Sequence, residues 1–594
     1  MGDAFLVEFQ STLDAVLCAI AIQQMMHDRK VARGEPLLLR IGIHSGDVVE
    51  SGNDILGDAV NIASRIYPLA EPGGICISSE VYNQVRNKVD LPLISFGEKH
   101  LKNVEMPVGV YKVAMPWEKA ISGEATSYPS NRIAILPFVS MSTSPDDAFF
   151  ADGVTEEIIS TVSGISGLEV ISRTSVMGFK GTTKKVKEIG RELEVGSVLE
   201  GSFRKAGNKI RVTTQLIDVA GDKHLWAQNY DRNLDDVFEV QSDVAKQVAE
   251  ALRVRILSPE IQRIEKKPTE STSAYTLYLK GRYFWNLRYS GNVGERIENL
   301  KNALKCFEQA VIQDPRFALG CVGQADCCLV LRDNYGVEME SNLRRAKEMV
   351  GRALELDPEL AEAHATNALV LGEEYRLKDE GSELRKAIEL KPNDALVHYW
   401  YGLWLVDELK WEEALEQIER ALELDPLSPV FNYGLAGFYY WRRDYDRALD
   451  LCRRAIELGV PGVHELAANI YGQMKMFADM RREVTAWVEL EQGSFPFARK
   501  YADFFTAYYE SDRPTCIRLL PEFEARFGKE IWFKAYDVAQ AYFCVGENDK
   551  GFEWLERSYS RREGYLANIR FWAQLDGVRN DPRYLDLLKR LGLD

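Results

Sequence analysis

Apolar and polar positions follow different periods along the chain, and the changes of period divide it into sections. Residues 1 to about 115 alternate strand-like and helix-like patterns. Ala4 to Phe9 reads as a strand. Ser11 to Asp28 reads as a helix with Leu13, Val16, Leu17, Ile20 and Met25 mostly on one face, and with Ser11 or Thr12 able to cap its free N–H groups. Leu37 to His44 reads as a strand, and Asp58 to Leu69 as a helix closed by Pro72-Gly73-Gly74. A short strand at Ile75 to Ser78, a short helix at Ser79 to Arg86, and strand patterns near Leu93 to Phe96 and Val108 to Val113 complete the section. Residues 116–131 hold Pro116, Gly123, Pro129 and several Ser and Thr, as a linker does.

Residues 132–256 carry a second α/β pattern. Ile133 to Phe138 is a buried-type strand, and Phe150, Val154, Ile158, Val162 and Ile165 share one helix face. A strand at Leu168 to Ile171 and a helix marked by Val186, Ile189 and Leu193 come next. Strands follow at Ser197 to Arg204, Lys209 to Val219 and Lys223 to Tyr230, the first two joined by Gly207-Asn208, and a helix from Asp235 to about Leu252 ends the unit. Residues 257–274 read as a second linker. From Tyr275 to Asp594 the period is helical throughout. Asp357-Pro358, Lys391-Pro392 and Asp425-Pro426 each end a helix, and their prolines are 34 residues apart. A 34-residue helix–turn–helix period is that of the tetratricopeptide repeat, so residues 275–594 are expected to form an all-α superhelix with a concave binding face for a protein partner. Trp285, Trp400, Trp404, Trp411 and Trp441 are expected mostly in its interhelix core.

Composition narrows the function more than the fold. The net charge of −17, from 90 acidic against 73 basic residues, argues against general binding to nucleic acid or an anionic membrane. No stretch approaches the roughly 20 apolar residues that span a bilayer, and Met1-Gly2-Asp3 is unlike a secretory leader. Nine cysteines without a CxxC pair fit a reducing compartment, so a cytoplasmic protein is expected. Cys327 and Cys328 read as a buried helical pair. Glu156-Glu157 reads as favourable charge near a helix start, and His44 as a strand residue satisfied by a neighbour.

The candidate chemistry lies in three blocks in order: Gly2-Asp3-Ala4-Phe5-Leu6, Arg40-Ile41-Gly42-Ile43-His44-Ser45-Gly46-Asp47, and Asp54-Ile55-Leu56-Gly57-Asp58-Ala59-Val60-Asn61-Ile62-Ala63-Ser64-Arg65. Together with Ala70-Glu71-Pro72-Gly73-Gly74 this resembles the class III adenylate/guanylate cyclase catalytic domain, a ferredoxin-like α/β fold. The resemblance implies that Asp3 holds one of two divalent cations, Mg²⁺ or Mn²⁺, that Asn61 orients the ribose, and that Arg65 steadies charge at the α-phosphate. Such chemistry suits these types: hard cations take carboxylates, and a guanidinium stays charged while donating to two phosphate oxygens. Asp54 matches the base-recognising position, which implies ATP, and Lys102 matches a phosphate-contacting lysine although Asn103 stands where the family has glycine. Family members are dimers with sites at the interface, so a homodimer through this domain is implied. Against the family the chain begins at the glycine–aspartate turn; the first metal aspartate and the adenine-reading lysine have no counterpart, and a truncated gene product, a mis-assigned start or a degenerate domain is expected.

Residues 132–256 resemble the TolB-like domain, through Ile135-Leu136-Pro137-Phe138, Phe150-Ala151-Asp152-Gly153 and Leu225-Trp226-Ala227 among other segments. The whole chain reads as an adenylate cyclase-family signalling protein, making cyclic AMP and pyrophosphate from ATP in its complete form. The alternative is an inactive cyclase-like adaptor that acts through its repeats.

Overall fold

The alternating patterns of the first section build a small mixed sheet. In this computed structural model the described residues are 5–51, without 34–37, then 54–86, 88–89, 91, 93–99, 107–115, 128–141, 145–288, 290–460, 462–491, 497–528 and 533–593. The chain divides into two units, residues 1–126 and 127–594. The first contains α1 (Thr12–Arg33), β1 (Ile41–Ile43), β2 (Val49–Ser51), β3 (Asp54–Leu56), α2 (Asp58–Ile66), β4 (Ile75–Ser78), α3 (Ser79–Val85), β5 (Leu93–Lys99) and β6 (Val108–Val113). The sheet order is β1-β4-β6-β5, with β1 and β4 parallel and the other neighbours antiparallel. β2 and β3 form a separate hairpin, with Ser51 opposite Asp54.

Helix α1 buries Val16 and Ala19 against Ile75, Ile77, Val81 and Val113. Gln23 interrupts its apolar stripe yet is buried, because its side-chain amide donates to the carbonyls of Leu39 (3.0 Å) and Gly74 (3.1 Å). Two expected strands change. Residues 5–9 have no regular structure, and Phe5 is 94 % exposed. A strand needs a neighbour for its backbone groups, and among the described residues none pairs with this segment. The strand expected over residues 37–44 is confined to Ile41–Ile43, where β4 is available to pair.

The second unit opens with β7 (Arg132–Ile135), β8 (Val139–Ser140), α4 (Pro145–Ser163), β9 (Glu169–Val170), α5 (Arg173–Met177), α6 (Val186–Glu192), β10 (Ser197–Ala206), β11 (Lys209–Asp218), β12 (Lys223–Asn233) and α7 (Val237–Ala251). The strand order is β12-β11-β10-β7-β9, and the β10–β11 turn uses Gly207 at φ +63°, a torsion that glycine adopts freely. Residues 257–274, expected as a linker, form α8 (Ser258–Glu265). The repeats follow as α9 (Thr272–Asn286), α10 (Val293–Gln313), α11 (Ala318–Asp333), α12 (Met339–Leu356), α13 (Ala361–Glu373), α14 (Leu377–Leu390), α15 (Ala395–Asp407), α16 (Trp411–Leu424), α17 (Pro429–Trp441) and α18 (Tyr445–Glu457). Less regular pairs continue as α19 (Gly462–Gln473), α20 (Phe477–Glu491), α21 (Ala498–Tyr509), α22 (Arg513–Arg526), α23 (Ala535–Cys544), α24 (Asn548–Ser560) and α25 (Pro582–Arg590).

One apolar core runs from the second sheet into the first repeat helices: Phe138, Phe150 and Phe203 belong to the same cluster as Tyr275, Leu279, Phe307 and Cys327. The turns between repeats supply the polar half of this junction. Asp314 accepts from Thr269, Asp357 pairs with Lys266 at 2.7 Å, Asn393 donates to the carbonyls of Ser163 and Ile165, and Asp425 accepts from Ser175. The Asp-Pro and Lys-Pro turns therefore both stop helices and hold what precedes the repeats: the first two hold the segment between α8 and α9, and the next two the α/β region. Cys327 and Cys328 are buried in α11, and Trp404 is buried with its indole N–H donating to Leu377 O at 2.7 Å.

Candidate functional site

In the first unit the candidate chemistry gathers on α2. The helix starts from Gly57, whose φ of +149° brings it against the Asp47 carbonyl; a Cβ there would stand 2.9 Å from that oxygen. Ala59 and Ile66 turn inward, Ile66 packing with Ala70, Cys76, Val108 and Val110. The opposite face carries Asn61 and Arg65, both exposed. They are four residues apart, so they project from one face one turn from each other. Ser64 Oγ donates to Asn61 O at 2.7 Å.

The far end of α2 is fixed by close approach. The 3-10 turn Tyr67–Leu69 lies directly on β1, and a Cβ on Gly42 would overlap the Tyr67 backbone nitrogen. Arg40 Nη1 donates to Pro68 O at 3.3 Å. Beside this contact His44, from β1, meets Ser78 Oγ at 2.9 Å, with the Glu80 carboxylate at 3.6 Å from the same ring nitrogen. Burial lowers the His44 pKa, against the opposing pull of Glu80. His44 is thus a neutral anchor between β1 and α3 at neutral pH, as its reading from the sequence supposed.

The other candidate residues are placed less fully. Asp54 opens β3 in the hairpin that leads into α2. Asp3 and Lys102 lie outside the described residues. Among the described residues no group of three or more His, Cys, Asp or Glu side chains could hold a metal ion. Lys112, which the sequence did not single out, is buried on β6 and donates to Glu71 at 2.9 Å in the turn before β4. Its place in a β-alternation is the only sequence signal it gives.

The second unit holds a different constellation. Glu156 and Glu157, read from the sequence as charge near a helix start, lie well inside α4 instead. The helix begins at Pro145, eleven residues before Glu156, so its N-terminal dipole cannot be what holds them. Glu156 is buried and bound by Arg282 (2.8 Å from Nε), Arg173 (3.2 Å) and Asn286 (2.7 Å). Burial works against its charge, but Arg282 and Arg173 hold its pKa below the ordinary value. Burial and the neighbouring Glu156 push Glu157 up to about 7. Ser160 and Lys391 both reach Glu362, at 3.3 and 2.9 Å. Helices α9 and α13 are therefore both met by α4 of the same chain.

Residues 1–114 match the model of the adenylate and guanylate cyclase catalytic domain, and residues 402–459 match that of the tetratricopeptide repeat. The chain is thus a multidomain protein of cyclase-domain and tetratricopeptide-repeat type. Residues 129–247 match the second domain of HilA/YgeH-like transcriptional regulators. A Rhizobium meliloti protein named "Putative adenylate cyclase 3" is 36 % identical over 380 residues, 62 % of this chain and 56 % of that protein. The chain therefore spans little more than half the length of this relative. Among solved structures, an adenylate/guanylate cyclase/hydrolase from Silicibacter pomeroyi is 37 % identical, covering 18 % of this chain and 65 % of its own, with a TM-score of 0.18. A tetratricopeptide repeat protein from Parabacteroides merdae is 14 % identical, covering 46 % of this chain and 99 % of its own, with a TM-score of 0.34. Among the described residues no helix is long and apolar enough to cross a membrane.

Proposed function

We propose that the first unit is the nucleotide-handling part of an adenylate cyclase, and that the second unit is the scaffold through which its output is tuned. The observation that carries this is the exposed Asn61/Arg65 pair on a helix whose two ends are fixed by Gly57 and Gly42. An asparagine amide can donate to and accept from a ribose, and a guanidinium one turn away can neutralise charge on a phosphate. Both side chains are exposed, and among the described residues neither has a partner, so both are available to a ligand. Asp54 would read the base as adenine, Lys102 would reach a phosphate, and Asp3 would contribute one carboxylate to Mg²⁺ or Mn²⁺. The metal would supply Lewis acidity at the phosphate. The described residues contain no donor set that fits it. A homodimer through this unit, a protein partner on the repeats and a cytoplasmic location complete the reading.

The test is cyclic nucleotide formation by the purified chain, from ATP or GTP, with Mn²⁺ or Mg²⁺, beside an Asn61→Ala/Arg65→Ala double variant. Activity from ATP that the variant loses supports the proposal. An inactive chain under every condition points to the adaptor, in which this unit binds nucleotide or dimerises while the repeats recruit a protein.

A further inference from the structure

The last helices return to the early repeats. Residues 534–576 lie across the carboxyl ends of α11, α13 and α15, more than 150 residues back in the chain. Lys534 Nζ donates to Asp333 O (3.4 Å), and Arg570 Nη1 donates to Asp407 O (2.8 Å). Both cations meet the unpaired carbonyls of a helix end, where positive charge is favoured. Arg332 Nη2 donates to Arg562 O (2.5 Å), and Arg443 pairs with Asp576 at 2.7 Å. Phe571 packs its ring against Trp411 and Trp441 at 5.4 and 5.5 Å, and Tyr375 stacks on Tyr559 at 5.3 Å.

Charge beneath this crossing does not balance. Arg332, only 2 % exposed, is shared by the carboxylates of Asp333 and Glu373. From the returning segment come Lys534, Asp537, Glu563 and Arg561, with Glu563 accepting from Ala535 N (3.0 Å), Ser558 Oγ (2.8 Å) and Arg561 (3.2 Å). Glu380 faces Glu373 from α14, and the Tyr375 phenol is a neutral neighbour at neutral pH. Among the described residues Asp333, Glu373, Asp537 and Glu563 thus meet the cations Arg332, Lys534 and Arg561, while Glu380, and Glu465 facing Asp537 from α19, add to the acidic side. Packed carboxylates in excess of their cations keep a proton rather than bury an unpaired charge.

We propose that residues 534–576 form a pH-sensitive strap, which holds the ends of the early repeat helices while the carboxylates beneath it, Glu373 and Asp537 foremost, keep their protons, and slackens as they lose them. The direction follows from linkage. Burial and then Asp333 raise Glu373 to about 8, and burial and Glu563 raise Asp537 to about 8. In the open form these groups regain ordinary carboxylate behaviour. Closure is therefore fully favoured below the ordinary carboxylate range and is lost as pH climbs to about 8, beyond which nothing further changes.

Hydrogen–deuterium exchange of the full chain tests this, with protection followed from pH 6 to 9 in peptides covering residues 325–335, 366–376 and 560–575. A β10 peptide in the same runs corrects for the chemical rate. The opening constant should rise on the order of tenfold per pH unit for each of these two carboxylates, about a hundredfold in all, through the range below pH 8 and then level off. Glu373→Gln and Asp537→Asn should each remove about half of that slope while leaving β10 unchanged. A wild-type chain with no slope in the strap peptides, or folded variants that keep the full slope, would overturn the proposal.

Discussion

Asn61 and Arg65 stand in solvent on a helix that uses neither of them, whereas Glu156 sits inside packed helices with two guanidinium partners and an amide. The first unit buries Gln23 and Lys112 for its own packing but leaves Asn61 and Arg65 outside its core. The second places charged groups inside, where each secures one element to another. The contrast suits the roles proposed for them. A group that must meet a ligand has to be free of the fold, and a group that fixes a junction has to be consumed by it. The same contrast sets how much each unit should lose when a polar residue is removed.

The largest loss is expected at the α4–α9 junction. Arg282→Met leaves the buried Glu156 with Arg173 and Asn286 alone. Removing one partner of such a pair costs about 3–5 kcal/mol, because the other charge stays buried. Urea denaturation should show that loss in the second unit. It should also show the α/β region and the first repeats unfolding together, since they share one core. A loss below about 1 kcal/mol would mean that Glu156 finds water or simply protonates, and the comparison would fail.

A middle-sized effect is expected at the foot of α2. Gly42→Ala drives a methyl group into the Tyr67 backbone, which cannot give way as a flexible side chain could. Overpacking of this kind costs about 1–3 kcal/mol. Thermal unfolding should show it in the first unit while the second keeps its transition. Lost cyclase activity in this variant, with Asn61 and Arg65 untouched, would show that the helix must be positioned as well as present.

Smaller again is a pH effect at His364, one position of a clasp that repeats along the array. His364 and His398 are 34 residues apart, and each binds the carbonyl of the turn proline six residues before it: Pro358 at 2.9 Å and Pro392 at 3.0 Å. Each also reaches the second helix of its repeat, His364 at Glu383 (2.6 Å) and His398 at Gln417 (2.7 Å). Asn432 occupies the next such position and donates to Pro426 O at 3.3 Å. Burial opposes charge on His364, but Glu383 prevails and raises its pKa. The ion pair's contribution is therefore full below the ordinary histidine value and is lost as pH rises through the raised one. His364→Gln should cost about 1 kcal/mol more at pH 6 than at pH 8.5. An equal cost at both values would show that the histidine acts only as a neutral clasp.

This clasp shows what the sequence made legible and what it did not. The 34-residue spacing of prolines is a backbone requirement repeated in phase, so the repeat fold is readable from it. The histidines share that spacing but give way to asparagine at Asn432 and face different partners, so their role emerges only with the helices in place. Glu156-Glu157 was misplaced for a related reason. Charge inside a long helix looks the same in sequence as charge at a helix start until the partner, Arg282, is found 126 residues away. Asn61 and Arg65 were legible because four residues along a helix fix a shared face whatever surrounds it. The segment at residues 5–9 was not, because a strand pattern specifies a face but cannot supply the neighbour that completes its hydrogen bonds.

The smallest expected effect sharpens the comparison most. Because Asn61 and Arg65 are exposed and the fold does not depend on them, Asn61→Ala and Arg65→Ala should each change stability by less than about 0.5 kcal/mol. Arg65 lies in the last turn of α2, where a cation is mildly favoured, so its loss should be the greater of the two. Both variants should therefore keep the wild-type unfolding curve at the pH of the activity assay. Under that condition, any cyclic nucleotide formation they lose is lost at the chemistry and not through the fold. A clear destabilisation by either would mean that the side chain is already engaged within the unit, and the freedom that marks it as a ligand group would be gone.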